Sequence, residues 1–245
     1  AIQHLGTNGG GLFGANSAHP FENPSPLTNL IELLSMMLIP GALVVAFGRM
    51  LGNRRQARVL IGAMLALLLL SLSVTWLAES AGNPQLAKAG LNQAMGSMEG
   101  KEVRFGVAQT SLFATVSAMH DSLTPMGGLA VLWNMMLNVV FGGEGVGFMN
   151  LMMYAILAVF LCGLMVGRTP EFLGKKIEGG EIRLIAIAIL LHPFIILMPS
   201  ALALVTPGGL AGISNPGFHG LTQVLYEFTS SAANNGSGFE GLADN

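Results

Sequence analysis

The sequence predicts an all-α, polytopic membrane protein, and two observations carry this prediction. The 245 residues are 52% hydrophobic and only 10% charged, with a mean hydropathy of +0.62. Soluble domains carry about a quarter charged residues. Several apolar runs also reach the length of about 20 residues that a helix needs to cross a hydrocarbon core. These features exclude a basic nucleic-acid-binding protein and predict the lipid bilayer as the protein's surroundings.

The apolar runs divide into full spans and shorter segments. Full spans are predicted over 27–47, where Pro40 should kink the helix, and over 59–77 and 184–205. A further crossing is predicted within 126–167. Two other apolar stretches are too short to span the bilayer and suit re-entrant half-helices, namely 106–117 and 221–231.

The positive charges predict the orientation. Of eleven Lys and Arg residues, eight lie in two loops: Arg49, Arg54, Arg55, Arg58, Arg168, Lys175, Lys176 and Arg183. The positive-inside rule places both loops in the cytoplasm. Two crossings within 126–167 would put one cluster outside, so a single crossing, interrupted by the glycine-rich residues 141–148, accounts better for the charges.

Two segments poor in side chains, 6–11 and 230–238, lie on the predicted outer side. Each belongs to a unit that combines a half-helix, a loop of Gly, Ala, Ser, Thr and Asn, and a full span. A half-helix that ends within the membrane directs the negative end of its dipole at the loop beyond it. Backbone carbonyls in such a loop can replace the hydration shell of a cation. The repeated unit therefore favours ion-coordinating loops over plain tight turns.

Six segments resemble one family in order along nearly the whole chain, namely 6–11, 16–24, 98–106, 119–122, 167–177 and 232–237. They are similar to the potassium-binding subunit family of the Kdp-type potassium-transporting ATPases. The resemblance implies four membrane–pore-loop–membrane repeats like those of a potassium channel, with K⁺ as the transported ion. It also implies a non-catalytic subunit of the bacterial inner membrane, with a catalytic P-type ATPase subunit and small accessory subunits as partners.

The resemblance also implies the site residues. The second-repeat potassium filter would comprise Thr7, Asn8 and Gly9, and the fourth-repeat filter Asn234, Asn235 and Gly236. A gate beneath the pore would comprise Gly142, Gly143, Gly145 and Gly147. Arg168 is either a gating residue or a plain positive-inside anchor. The chain would then divide into the second repeat (1–48), the third (49–167) and the fourth (168–245).

The third repeat departs from the family pattern. Ten residues separate Gly9 from His19 in the second repeat, but counting ten back from the corresponding His120 reaches Thr110, inside the predicted half-helix. The third filter, with its glycine, is therefore missing between Val116 and Met119. Either residues are absent there from the resolved chain, or the polypeptide carries a true deletion.

Several alternatives stay open at this stage. The chain could be an ion-gradient-driven transporter of the Trk/Ktr type, or a non-conducting assembly remnant. His192, within a span, suggests an ion path or, more simply, helix packing with its ring bonded to a backbone carbonyl. Glu32, also within a span, is expected to pair with an inward-facing polar group. The missing initiator Met and the absent first repeat suggest an internal fragment of a longer protein.

Overall fold

The computed structural model describes most of the chain. The described residues are 4, 17, 19–82, 87–88, 90, 92–98, 103–119, 128–215, 217–233, 238–239 and 242–243. Within them the helices are α1 (Pro26–Met50), α2 (Arg54–Ser80), α3 (Gly106–Met119), α4 (Gly128–Met136), α5 (Val146–Val166), α6 (Gly179–Val205), α7 (Pro207–Ala211) and α8 (Phe218–Ala232).

Four of the described helices, α1, α2, α5 and α6, are long and apolar enough to cross a membrane. This confirms the prediction of an all-α, multi-pass membrane protein. Almost every side chain of α5 and α6 lies at the surface of the described structure, although both helices are strongly apolar. Such helices require a hydrocarbon or protein environment to cover them.

Local sequence signals explain where the long helices begin and end. Ser25 caps α1 by accepting a hydrogen bond from the backbone N–H of Thr28, and Pro26 occupies the first turn. Asn53 caps α2 in the same way, accepting from the N–H of Gln56 at 3.1 Å. At its C-terminal end, α5 stops at Gly167, which adopts a left-handed conformation. The α1 helix continues through Pro40 without a break.

The two short helices α3 and α8 pack against the longer ones. Helix α3 packs against α1, α2 and α4, while α8 packs against α4 and α6. One apolar core joins α1, α2 and α3 and includes Met36, Met64 and Phe113. A buried hydrogen bond from the Ser71 hydroxyl to the Asn134 side-chain oxygen links α2 to α4. Helix α3 is therefore largely buried, whereas α8 buries one face that includes Gln223 and Tyr226 and exposes Phe218 and Leu221.

Two predicted segments differ in detail from the structure. Within 126–167, the nine-residue α4 is separated from the 21-residue α5 by turns at 137–145. Only α5 is long enough to cross, since α4 spans about 14 Å at 1.5 Å per residue. The segment 207–220, whose glycines and prolines are typical of an irregular connector, contains α7, because Thr206 accepts a hydrogen bond from the N–H of Gly209 and Pro207 fits the first helical turn.

A small hairpin follows α5. Its strands are β1 (Glu171–Phe172) and β2 (Lys175–Lys176), paired antiparallel with Glu171 opposite Lys176. Both turn residues, Leu173 and Gly174, have positive φ, as the tightest hairpin turns require. The hairpin closes the predicted cytoplasmic loop and returns the chain to α6.

Candidate functional site

The C-terminal part of α3 and the middle of α8 contribute to one buried cluster around α4. Ala118, near the end of α3, and Tyr226 of α8 belong to one buried cluster with Val131 and Met135 of α4. The backbone carbonyls at the C-terminal ends of α3 and α8 are the negative poles of the two helix dipoles. Each negative pole favours a cation beyond the end of its own helix.

An aromatic cluster brackets the fourth-repeat loop. Ala233 ends α8, and Phe239 follows the loop 234–237. The Phe239 ring packs edge-on against Tyr226, with ring centroids 5.2 Å apart, and against His219 at 5.9 Å. We call Tyr226, His219 and Phe239 the aromatic bracket. Through Phe239, the chain that follows residues 234–237 packs against α8, the helix that precedes them.

Backbone contacts also hold residues 242–243, which follow the aromatic bracket, against the connector before α8. The N–H of Ala243 donates to the carbonyl of Gly212 at 2.9 Å, and Leu242 forms an isolated antiparallel bridge with Ile213. The side chain of Gln223, fully buried on α8, donates to the Ser214 hydroxyl at 3.2 Å. The connector before α8 and the chain after the loop are thereby joined.

A polar cluster brackets the second-repeat loop. The His4 Nε2 atom lies 2.6 Å from the Ser17 hydroxyl oxygen and 3.3 Å from Oε2 of Glu32 on α1. All three residues are buried, with exposed fractions of 1%, 2% and 4%. We call His4, Ser17 and Glu32 the polar bracket. The structure thus identifies the partner that the sequence predicted for Glu32 without naming.

The polar bracket also contacts the third repeat. The His4 ring packs edge-on against Phe113 of α3, with centroids 5.9 Å apart. Phe113 belongs to the core that joins α1, α2 and α3. Helices α1 and α3 therefore both contact His4.

The connector after the second-repeat loop is held by a chain of hydrogen bonds. The side-chain nitrogen of Asn23 donates to Asn29 at 2.8 Å, and the Thr28 hydroxyl donates to the Asn23 side-chain oxygen at 2.7 Å. Arg104, just before α3, donates from Nη1 to the backbone carbonyl of Asn23 at 2.8 Å. These contacts fix the proline-containing connector to both α1 and the third repeat.

The glycine-rich segment between α4 and α5 forms compact, mostly buried turns. Gly142, Gly143, Gly145 and Gly147 are buried, and the N–H of Gly147 donates to the Gly142 carbonyl at 3.1 Å. A Cβ at Gly147 would clash with the carbonyl oxygen of Asn138. Gly145, with φ of 116°, would place a Cβ 2.7 Å from Leu43 of α1. The segment therefore packs closely on α1 and tolerates no side chain at these two positions.

Arg168 lies far from the glycine-rich segment. It follows α5, whose 21 residues separate it from Gly145 by about 30 Å. Its side chain is exposed, and its backbone N–H donates to the carbonyl of Gly163 at 3.0 Å. The two parts of the predicted gate are thus at opposite ends of one helix, and the gating role of Arg168 stays a prediction.

His192 lines a cavity of 430 Å³ between α4, α5, α6 and α8. The cavity is mostly apolar, but Asn150, Tyr154 and Thr229 also line it. Thr229 lies in the last turn of α8, so the cavity reaches the base of the fourth half-helix. His192 is half-buried, and both of its proposed roles stay predictions.

The predicted filter residues Thr7, Asn8, Gly9, Asn234, Asn235 and Gly236 lie outside the described residues. What the structure supplies is their framework, since the residues flanking both loops are described. The sequence missed both brackets. An ionisable Glu32 within a span signalled the first, whereas nothing in the pattern around Tyr226 signalled the second.

The fold and the framework define a class of protein: a multi-pass membrane protein in which two short helices, α3 and α8, pack beside four helices long enough to span the bilayer. The model of the KdpA family, the potassium-transporting ATPase A subunit, matches residues 1–245. The chain belongs to this family. The match supports the ATPase subunit and gives no support to the Trk/Ktr alternative considered from the sequence.

Two curated relatives are similar over 100% of the chain. The potassium-transporting ATPase potassium-binding subunit of Clostridium acetobutylicum is 65% identical, and that of Geobacillus kaustophilus is 61% identical. The chain spans about half the length of these relatives, 46% and 45% respectively. Both comparisons extend over 254 residues, nine more than the 245 of this chain.

Proposed function

We propose that this chain is part of a potassium-binding subunit of an ATP-driven potassium importer. K⁺ would enter from the outer side, lose its hydration shell in the loops between half-helices and spans, and pass to a partner. Both curated relatives are named as potassium-binding subunits of such an ATPase. The observation that carries the proposal is the packing of two short helices, α3 and α8, against α4, with Ala118 and Tyr226 in one buried cluster beside the full-length spans.

The proposed filter residues follow from the framework and the resemblance together. Thr7, Asn8 and Gly9 would coordinate K⁺ in the second repeat, and Asn234, Asn235 and Gly236 in the fourth. Ala233 ends α8 directly before Asn234, so the dipole of α8 would act on an ion there. The repeats would divide at 1–48, 49–167 and 168–245.

The partner and location follow from the same family. A catalytic P-type ATPase subunit would hydrolyse ATP, with small accessory subunits in the same complex of the bacterial inner membrane. This chain would supply no catalytic residue. The glycine-rich turns, held against α1 at Leu43, would act as the gate beneath the pore.

The test is K⁺ binding by the full-length subunit in its complex. K⁺ should raise the thermal stability of the complex and drive uptake that saturates with K⁺. Gly236→Asp should abolish both effects, because the new side chain would occupy the ion path. Unchanged potassium affinity in this variant would exclude the filter assignment. Gly208→Asp, at an exposed glycine with open space around it, is the control and should leave both effects intact.

A second candidate function is a subunit that assembles but does not conduct selectively. The relatives carry at least nine residues that this chain lacks. Helix α3 runs without interruption through 116–119, where the third filter is predicted to be missing. We infer a true deletion at this place, which would leave one wall of a four-walled pore without carbonyl ligands.

An insertion variant distinguishes the conducting subunit from the non-conducting one. The corresponding segment of the Clostridium acetobutylicum relative would be inserted between Val116 and Met119 of the full-length protein. If the chain is non-conducting, saturable K⁺ uptake should appear only after the insertion. Equal, K⁺-selective uptake with and without the inserted segment would exclude the second function.

A further inference from the structure

We propose that a groove between the adjoining ends of α1 and α2 binds the headgroup phosphate of an anionic phospholipid, with an acyl chain of the same lipid along its apolar walls. The groove has a volume of 530 Å³. Arg49, Arg54 and Arg58 form its rim, and Val45 and Ile61 form its walls. We call it the arginine groove. The inference goes beyond potassium binding, because the groove contains none of the proposed filter or gate residues.

Backbone contacts between two helices form the floor of the arginine groove. Gly48 of α1 and Ala57 of α2 line it and are both buried. A Cβ at Gly48 would clash with the Cβ of Ala57, so the two helices touch at this point. Residues 51–53 alone join the helices, and the N–H of Asn53 donates to the Gly48 carbonyl at 3.0 Å. The groove is therefore built without help from its arginine side chains, which are free to bind a ligand.

The groove carries positive charge that the surrounding hairpin does not offset. Between Glu32 and Glu79 the sequence contains four arginines and no Asp or Glu. In the part of the chain that the structure describes, Arg49, Arg54 and Arg58 form no ion pair. The two glutamates lie near the far ends of the same helices, about 25 Å or more from the rim at 1.5 Å per residue. The rim is therefore complementary to an anion.

The helix dipoles concentrate this need for an anion on the α2 side. Arg54 is the first residue of α2, whose first turn contains no acidic residue. The N-terminal end is the positive pole of the dipole, where basic residues are unfavourable and anions are stabilised. Arg49, by contrast, lies in the last turn of α1, at a negative pole. Arg54 and Arg58 are four residues apart on one helical face, so both can reach one phosphate group.

The apolar walls favour a lipid over other anions. Val45 lies one turn from Arg49, and Ile61 about two turns from Arg54, in the direction of the membrane interior. The walls thus extend about 6–10 Å from the rim along two helices that are apolar enough to span the bilayer. Clusters of basic residues beside such helices attract anionic lipids. A phosphodiester headgroup with acyl chains matches both rim and walls, whereas inorganic phosphate or an acidic protein segment matches only the rim.

The first measurement is native mass spectrometry of the detergent-purified complex that contains the full-length subunit. It is titrated with phosphatidylglycerol and, separately, with phosphatidylcholine, whose headgroup has no net charge. The double variant Arg54→Gln, Arg58→Gln should raise the Kd of the tightest phosphatidylglycerol about 25-fold, because each basic residue near an anionic lipid contributes roughly fivefold in affinity. The Kd of phosphatidylcholine should stay the same.

Arg55→Gln is the matched control for this measurement. Arg55 is exposed and lies in the same first turn of α2, but it does not line the groove. Its replacement should weaken phosphatidylglycerol binding much less than either Arg54→Gln or Arg58→Gln alone. If the double variant does not assemble, Arg58→Lys and Arg58→Gln carry the test. Lys keeps the charge but not the planar fork, so it should retain most of the affinity that Gln loses.

The second measurement locates the lipid. Phosphatidylglycerol with a photoactivatable group in one acyl chain should label the peptide 45–61 in the unaltered complex and in Arg55→Gln, but not in the double variant. An excess of inorganic phosphate should not prevent this labelling, since phosphate gains nothing from the apolar walls.

Four outcomes would overturn the proposal. Equal loss of affinity in Arg55→Gln and Arg54→Gln would show a diffuse positive surface. Equal affinity for the two lipids would exclude recognition of the headgroup charge. Competition by inorganic phosphate, with no labelling of 45–61, would identify an anion site without a lipid. Loss of a partner subunit from the double variant, with unchanged phosphatidylglycerol binding, would identify the groove as a protein interface.

Discussion

The two loop frameworks of this protein are built from different chemistry. In the second repeat, His4, Ser17 and Glu32 hold the loop ends through buried polar contacts. In the fourth repeat, Tyr226, His219 and Phe239 do so through ring packing. The polar contacts depend on charge and direction, whereas ring packing depends on volume and shape. Equivalent positions in a repeated unit can therefore respond in opposite ways to the same kind of substitution.

Helix α3 contacts both the polar bracket and the aromatic bracket. Phe113 of α3 contacts His4, and Ala118 packs in the cluster of Tyr226. Helix α3 thus links the polar bracket to the aromatic one. Substitutions in α3 can therefore affect both brackets, since the helix contacts His4 and shares a cluster with Tyr226.

The largest effect is expected at the aromatic bracket. Tyr226 is fully buried, and its replacement by Ala would leave a cavity that costs about 3–5 kcal/mol. The thermal midpoint of the purified complex in detergent should fall accordingly. Tyr154→Ala removes a ring that is half exposed and should have a much smaller effect. Equal losses in the two variants would contradict a packing role for Tyr226.

The stability that the polar bracket contributes should depend on the charges of its side chains and not on their volume. His4→Leu would leave the Glu32 carboxylate buried without this partner, at a cost of about 3–5 kcal/mol. The double variant His4→Leu, Glu32→Leu should recover most of that stability, because an apolar pair carries no buried charge. Thermal denaturation of both variants tests this. A double variant as unstable as His4→Leu would show that the bracket is held by shape, like its aromatic counterpart.

A smaller effect is expected in the glycine-rich turns. In Gly147→Ala the new Cβ would press on the Asn138 carbonyl, and relieving such overpacking costs about 1–3 kcal/mol. Gly62→Ala is the matched control, since nothing lies within 4 Å of a Cβ there and Ala favours a helix interior by about 0.5–1 kcal/mol. The two variants should shift the thermal midpoint in opposite directions. Shifts of the same sign would contradict the close packing of the turns.

The smallest stability effect is expected at Arg168. Its exposed side chain predicts a change within about 0.5 kcal/mol for Arg168→Gln, together with a lower rate of K⁺ uptake if Arg168 is part of the gate. Arg183→Gln removes another exposed charge of the same loop. Equal uptake in both variants, with normal insertion, would identify Arg168 as a plain anchor.

Much of the fold could be predicted because apolar length and charge position are local properties. The four long helices lie where the runs of apolar residues indicated, extended by capping residues such as Ser25 and Asn53. Helix α7 was missed because a Thr-Pro-Gly-Gly sequence also suits an irregular connector. The hairpin of β1 and β2 was missed because strands of two residues leave no periodic pattern.

The site was predicted less completely, for a physical reason. The glycine-rich segments were recognised from composition, but their supports depend on residues far apart in sequence. His4 and Glu32 are 28 positions apart, and Arg104 reaches Asn23 across 81 positions. A single sequence carries no signal for such pairs beyond the presence of an ionisable group in a span.

The sequence by itself determined that this is a membrane protein, where its spans lie, and which loops lack side chains, because the bilayer demands long apolar helices and internal backbone hydrogen bonds. Only the tertiary structure decided how the loops are supported. The partner of Glu32, the cluster that Ala118 and Tyr226 share with α4, and the packing of Phe239 on Tyr226 all require segments to meet in space, which neither apolar length nor charge count can specify.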